Sequence, residues 1–168
     1  MPELPPPRTP GRYRVALVCL GNICRSAMAD VVLTEAVADA GLGDRVEVTS
    51  SGTGGWHIGD PMDRRAAATL AAHGYDGSSH RVRQFDPAWH DEVDLVLAMD
   101  ATNHADLRAT ADADDRLLMF RDFDPRATDD DREVPDPFFG DDDGFRHVMG
   151  VVERTSAEIV RRLTAVLA

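Results

Sequence analysis

Three short apolar runs, spaced through the chain with helix-like stretches between them, constrain the fold more than any other feature. Tyr13 to Val18 contains the unbroken run Val15-Ala16-Leu17-Val18, Val93 to Met99 reads VDLVLAM, and Arg116 to Phe120 reads RLLMF. Runs this short and this apolar predict strands buried on both faces. Arg45 to Ser50 (RVEVTS) alternates as a fourth strand and leads into the loop SGTGGWHIGD. Between these lie helical patterns. Met28, Val31, Val32, Ala36 and Val37 recur at helical spacing after Ser26, with Gly41 as a stop; Met62 to His73 is alanine-rich and closed by Gly74. A further helix follows Asp100, and Phe145 to Ala168 carries an apolar stripe of Val148, Val151, Val152, Ile159, Leu163 and Leu167. Strands alternating with helices predict an α/β fold: three αβα layers around a doubly wound, four-stranded parallel sheet flanked by helices.

The chain of 168 residues fits one domain, expected over residues 12–168, with the proline-rich residues 1–11 as a flexible tail. There is no lysine, so all 18 basic residues are arginines, against 30 acidic ones, for a net charge of −12. That balance argues against nucleic-acid partners and anionic membranes, both of which select for excess cations. Without lysine there is no Walker A loop. Two cysteines are too few for a disulfide scaffold; with no apolar leader near the start, a reducing, cytoplasmic setting is expected.

Both cysteines fall in one stretch, VCLGNICRSAMAD, between the first strand and the first helix. Ligands of doubly wound sheets bind at such carboxyl ends of strands. Cys19 and Arg25 form a C-x5-R pattern, weak by itself and stronger for its placement. A Gly/Asn-containing loop turns successive N–H groups inward as an anion nest, the helix adds its unpaired donors, and arginine grips two oxygens of a phosphate. Donors that hold an oxyanion also hold a thiolate, which makes a cysteine at the base of the cup an activated nucleophile. The six histidines (57, 73, 80, 90, 104 and 147) show no metal-ligand spacing, so neither metal nor other cofactor is expected.

CLGNICRS resembles the phosphate-binding loop of the low-molecular-weight protein tyrosine phosphatases. The likeness runs from about Tyr13 to Ala168 through the blocks TSSGTGGWHIGDPMDRRA, HRVRQF, LVLAMD and DPFFG. It implies a flavodoxin-like, phosphotyrosine phosphatase I fold and a single phosphatase domain. Carried over residue by residue, it makes Cys19 the nucleophile, Arg25 the phosphate clamp and Asp136 the general acid. The loop would comprise Leu20, Gly21, Asn22, Ile23, Cys24, Arg25 and Ser26, with Ser50 and His80 as its supports. Trp56 and Phe138 would sandwich a phenyl ring, with His57, Leu20 and Ile23 near the mouth. On the residues alone, Asp136 is equally an ordinary turn aspartate in an Asp-rich loop. Likewise, Trp56 after Gly54-Gly55 is equally a loop aromatic packed on its own loop.

The resemblance further implies phosphotyrosine-containing proteins as substrates, inhibition by phosphate and similar oxyanions, and a monomer, with a weak dimer and signal-independent export left open. Arsenate reductases that share the loop relay oxidation through further cysteines, and this chain has none after Cys24. Protein arginine phosphatases carry threonine where Ile23 stands, which points here to tyrosine. A non-catalytic phosphotyrosine-binding module would not need Cys19, Arg25 and Asp136 together. Ala27 stands where the family has proline, predicting a slightly looser loop, and Phe138-Phe139 where tyrosines are frequent. Cys24 has two readings, a redox partner that protects Cys19 through a reversible disulfide, or a packing residue.

Overall fold

The computed structural model describes residues 1–168. Four parallel strands, β1 (Tyr13–Cys19), β2 (Val46–Gly52), β3 (Leu95–Ala98) and β4 (Leu117–Met119), form one sheet in the order β2-β1-β3-β4. Helices α1 (Arg25–Asp39), α2 (Arg64–Ala72), α3 (Ala101–Arg108) and α4 (Asp142–Val166) flank it, so the expected α/β class and four-strand count hold. The strand order reverses between β1 and β3, and their carboxyl ends are therefore where a ligand crevice opens.

The sheet is buried on both faces because successive residues of its central strands point to different layers. Val15, Leu17 and Cys19 of β1, with Leu95 and Leu97 of β3, join the larger core under α1, α2 and α4. Ala16 and Val18, with Val96 and Ala98, join a smaller core with Phe85, Val93 and Leu107 on the α3 side. This explains why the runs are apolar throughout rather than alternating.

Element ends shift from the sequence expectation where side chains cap. Asp63 accepts from the amides of Arg65 and Ala66 and starts α2 later than Met62. Asp141 accepts from Asp143 and Gly144, which starts α4 earlier than Phe145. Gly41, at φ 76, ends α1 as expected: its amide and that of Leu42 bond back to Ala38 and Val37, which only a left-handed residue permits. The run RLLMF is strand only over Leu117–Met119, and Phe120–Phe123 turns into a 3₁₀ helix.

Residues 1–11, expected as a flexible tail, have no helix or strand but lie against the body. Leu4 is buried in the larger core, and the carbonyls of Pro2, Pro5 and Pro6 accept from Arg162, Tyr13 and Arg116. The Arg8 amide donates to Asp94. No helix is long and apolar enough to cross a membrane.

Candidate active site

β1 delivers Cys19 to the carboxyl edge of the sheet, and the chain reverses over Leu20 to Cys24 before α1 begins at Arg25. Asn22 makes that reversal with φ 58, the one non-glycine residue of the chain in the left-handed region. Asn is the residue type, after Gly, that most readily tolerates this conformation. Its buried polar groups are all used. The N–H donates to Cys19 Sγ at 3.2 Å, and Nδ2 donates to Ser26 Oγ at 2.8 Å. Oδ1 accepts from the Arg83 amide at 3.1 Å, and the carbonyl accepts from His80 Nε2 at 2.8 Å, which requires that ring nitrogen to carry the hydrogen. His80 and Arg83 reach the loop because their segment runs beside the end of β2, where Gly52 bonds to Arg83 and Phe85. Gly52 itself admits the loop: a Cβ there would sit 2.6 Å from the Leu20 carbonyl oxygen.

Ser26 Oγ lies 3.0 Å from Cys19 Sγ and 3.3 Å from the Ser51 carbonyl. Ser50, expected among the loop's supports, does not bond to the loop. Its hydroxyl donates instead to Asp30 of α1 at 2.8 Å. Burial pushes the Asp30 carboxyl up, opposed by Ser50, Thr34 and the charges of His80 and Arg83. The support from β2 comes one residue on, from the Ser51 backbone.

Arg25 is buried, and its guanidinium is fixed chiefly by Asp100 and Val134, to which no role was assigned from sequence. Nη1 donates to Asp100 Oδ2 at 2.6 Å and to the Val134 carbonyl at 3.1 Å, while Nη2 faces Asp136 Oδ2 at 3.6 Å. Burial works against the charge, but Cys19, Asp100 and Asp136 more than offset it and hold Arg25 above its ordinary value. Asp100 ends LVLAMD at the carboxyl edge of β3, across the switch point from Cys19. That position was the available signal for it.

Cys19, Cys24, Arg25 and Asp136 line one cavity of about 180 Å³, whose walls are mainly apolar: Leu20, Ile23, Trp56, Phe138 and Phe139, with Gly21 and His57. The structure thus brings together the residues proposed from sequence for the nucleophile, clamp, acid and pocket. Trp56 stands at the cavity and on its own loop at once. It is 72% exposed, lines the cavity, and lies so close over Gly54 that a Cβ there would fall within its ring. Phe138 and Phe139 pack edge to face at 4.9 Å, and Phe139, to which no role was given, is 93% exposed at the rim. Both cysteines are free and buried. Burial, with Asp63, Cys19 and Asp136 nearby, pushes the Cys24 thiol far above its ordinary range, so it stays protonated at neutral pH. No group of three His, Cys, Asp or Glu side chains is placed to hold a metal ion.

At the switch point of this doubly wound sheet, one apolar-walled cup thus holds a cysteine, a loop amide that donates to its sulfur and a buried arginine. The family model for low molecular weight phosphotyrosine protein phosphatase matches residues 14–167, and the chain belongs to that family. It is 45% identical over 151 residues to a low molecular weight protein-tyrosine-phosphatase of Streptomyces coelicolor, covering 88% of this chain and 92% of that one. It is 43% identical over 139 residues to low molecular weight protein-tyrosine phosphatase A of Mycobacterium tuberculosis, covering 83% and 84%. The crystal structure of YfkJ from Bacillus subtilis superimposes with a TM-score of 0.84 at 29% identity, covering 92% of this chain and 96% of that one.

Proposed function

We propose that the protein hydrolyses phosphotyrosine in proteins through a phosphocysteine on Cys19. The Cys19 thiolate attacks phosphorus in line, an S–P bond forms, and the bond from phosphorus to the phenolic oxygen breaks. Asp136 gives its proton to that oxygen, so tyrosine leaves neutral. A water then attacks phosphorus, Asp136 takes the proton back, and the S–P bond breaks to release phosphate and the thiolate. Arg25 and the loop amides hold the equatorial oxygens through both steps, where charge stabilisation contributes most.

One observation carries this reading: Asp136, far along the chain from the Cys19–Arg25 loop, lines the same cavity as both, with its carboxylate 3.6 Å from Arg25. Trp56 and Phe138 give that cavity the apolar walls a phenyl ring needs, and a deep cup favours phosphotyrosine over the shorter phosphoserine. The names of the Streptomyces and Mycobacterium relatives support the same activity. Phosphate and similar oxyanions compete for the cup, no cofactor takes part, and every group required comes from one chain. Two free cysteines suit a reducing, cytoplasmic setting. The test is a comparison of phosphotyrosine, phosphoarginine and arsenate with the parent and Cys19→Ser. Turnover confined to phosphotyrosine and lost in the variant is expected; turnover of phosphoarginine or arsenate instead would replace the substrate assignment.

A further inference from the structure

Arg65, on the first turn of α2, lines no part of the cup but joins it to the acid loop. On one side its guanidinium takes both oxygens of the Asp63 carboxylate, Nε at 3.2 Å and Nη2 at 3.0 Å. On the other it reaches 73 positions along the chain, where Nη2 donates to the Phe138 carbonyl at 2.9 Å. Nη1 donates more weakly to the Gly140 carbonyl at 3.4 Å. Its charged face lies 4.7 Å from the ring centre of Phe145, which is fully buried, and 5.5 Å from that of Phe138. Asp63 already caps α2 through the amides of Arg65 and Ala66. The Arg65 side chain is therefore spare for the helix, and its remaining donors go to the loop.

The loop residue it holds is the one that holds Asp136. Phe138 donates its N–H to Asp136 Oδ1 at 3.1 Å while its carbonyl accepts from Arg65. The other end of the loop is fastened separately: the Val134 amide bonds to Met99, and the carbonyls of Val134 and Glu133 accept from Arg25 and Arg121. Between Val134 and Phe138 stand only Pro135, Asp136 and Pro137, and both prolines have φ locked. With one end fastened and the middle stiff, the Asp136 carboxyl is set between Arg25, which faces Oδ2, and the Phe138 N–H, which holds Oδ1.

We propose that Arg65 is the positioning residue for the general acid, setting the Asp136 carboxyl through Phe138; this rests on the assignment of Asp136 above. Proton donation matters in proportion to how basic the leaving oxygen is. A mis-set acid therefore slows aryl phosphates with poor leaving groups and spares those that leave without a proton. A loss of general attraction for phosphate would slow both alike.

The test measures kcat/KM, which reports the step that expels the phenol, on phenyl phosphate and on 2,4-dinitrophenyl phosphate. In Arg65→Ala the phenyl value should fall about tenfold or more, since displacements near 1 Å can cost about a hundredfold, while the dinitrophenyl value changes by less than about threefold. The ratio of the two is independent of how much of a preparation is folded, so partial unfolding cannot imitate the result. Arg65→Lys, with a point charge in place of the fork, should give an intermediate ratio. Asp136→Asn should shift the ratio further, and adding Arg65→Ala to it should change the ratio no more. An unchanged ratio in Arg65→Ala alongside a shifted one in Asp136→Asn overturns the role of Arg65 alone. An unchanged ratio in Asp136→Asn overturns the acid assignment and this role with it.

Discussion

Replacing Asn22 by alanine and by glycine separates what its side chain and its backbone contribute to the cup. Either change removes the hydrogen bonds to Ser26 Oγ and from the Arg83 amide, at 2.8 and 3.1 Å. Ser26 keeps neighbours in Cys19 and Ser51, but the Arg83 amide loses its acceptor beside a fully buried site. The two lost hydrogen bonds cost about 1–2 kcal/mol each, the upper figure where a partly buried partner such as the Arg83 amide is left without an acceptor, so the shared cost is about 2–4 kcal/mol. Alanine alone must also hold φ near 58, which adds about 1 kcal/mol that glycine avoids. Thermal unfolding should therefore rank parent above Asn22→Gly above Asn22→Ala. For a chain of this length the first step is about 4–16 °C and the second about 2–4 °C. Phosphatase activity should fall in both, because the Asn22 amide that points at Cys19 is no longer fixed. Finding Asn22→Ala as stable as Asn22→Gly would show that the loop does not hold its left-handed turn, and the argument for a preformed cup would fail.

Asp124, fully buried, accepts from Arg154 at 2.7 and 3.0 Å and from Arg121 at 2.8 Å. Burial pushes its carboxyl up, but the bonds from Arg154, the Arg126 amide and Arg121 more than offset this and hold it below the usual carboxylate range. A depressed carboxylate stabilises the fold above its unfolded value, near 3.9, and that contribution fades as pH falls below it. Asp124→Asn should thus lower stability at pH 7 by about 3–5 kcal/mol, with the deficit shrinking below about pH 4 in thermal melts; a deficit constant with pH would contradict this. Trp56→Ala should raise KM for phosphotyrosine peptides about two- to tenfold, as loss of one aromatic contact implies, and an unchanged KM would remove Trp56 from the substrate wall. Cys24→Ser should recover less activity with thiol after peroxide than the parent does, whereas equal recovery would leave Cys24 a packing residue.

The parts of the site legible in sequence are those built locally. The apolar run of β1, the Gly/Asn turn and the start of α1 are contiguous, so residues 13–26 announce both the strand and the anion cup that follows it. The central strands were equally accessible, because buried parallel strands have no polar face to confuse their pattern; their order across the sheet was not. What stayed hidden depends on contacts across the fold. Asp100 and Arg65 are ordinary helix-start residues until β3 and α2 bring them to Arg25 and to the acid loop. Ser50 differs from its expected place by one position: the β2 backbone turns its hydroxyl to Asp30 and leaves the Ser51 carbonyl for Ser26. Residues 1–11 read as a free tail on composition, since proline promises no regular hydrogen bonding. Yet that same lack leaves the carbonyls of Pro2, Pro5 and Pro6 available to arginine and tyrosine donors on the body.

The proposed reaction turns on Cys19 carrying the phosphoryl group between its two steps. Acid quenching during turnover of 2,4-dinitrophenyl phosphate, followed by proteolysis and mass spectrometry, should find one phosphoryl group on the peptide containing Cys19, accumulating further when Asp136→Ala slows hydrolysis of the intermediate and spares its formation. Phosphate release at the parental rate from Cys19→Ser, with no phosphorylated peptide at any time, would contradict it.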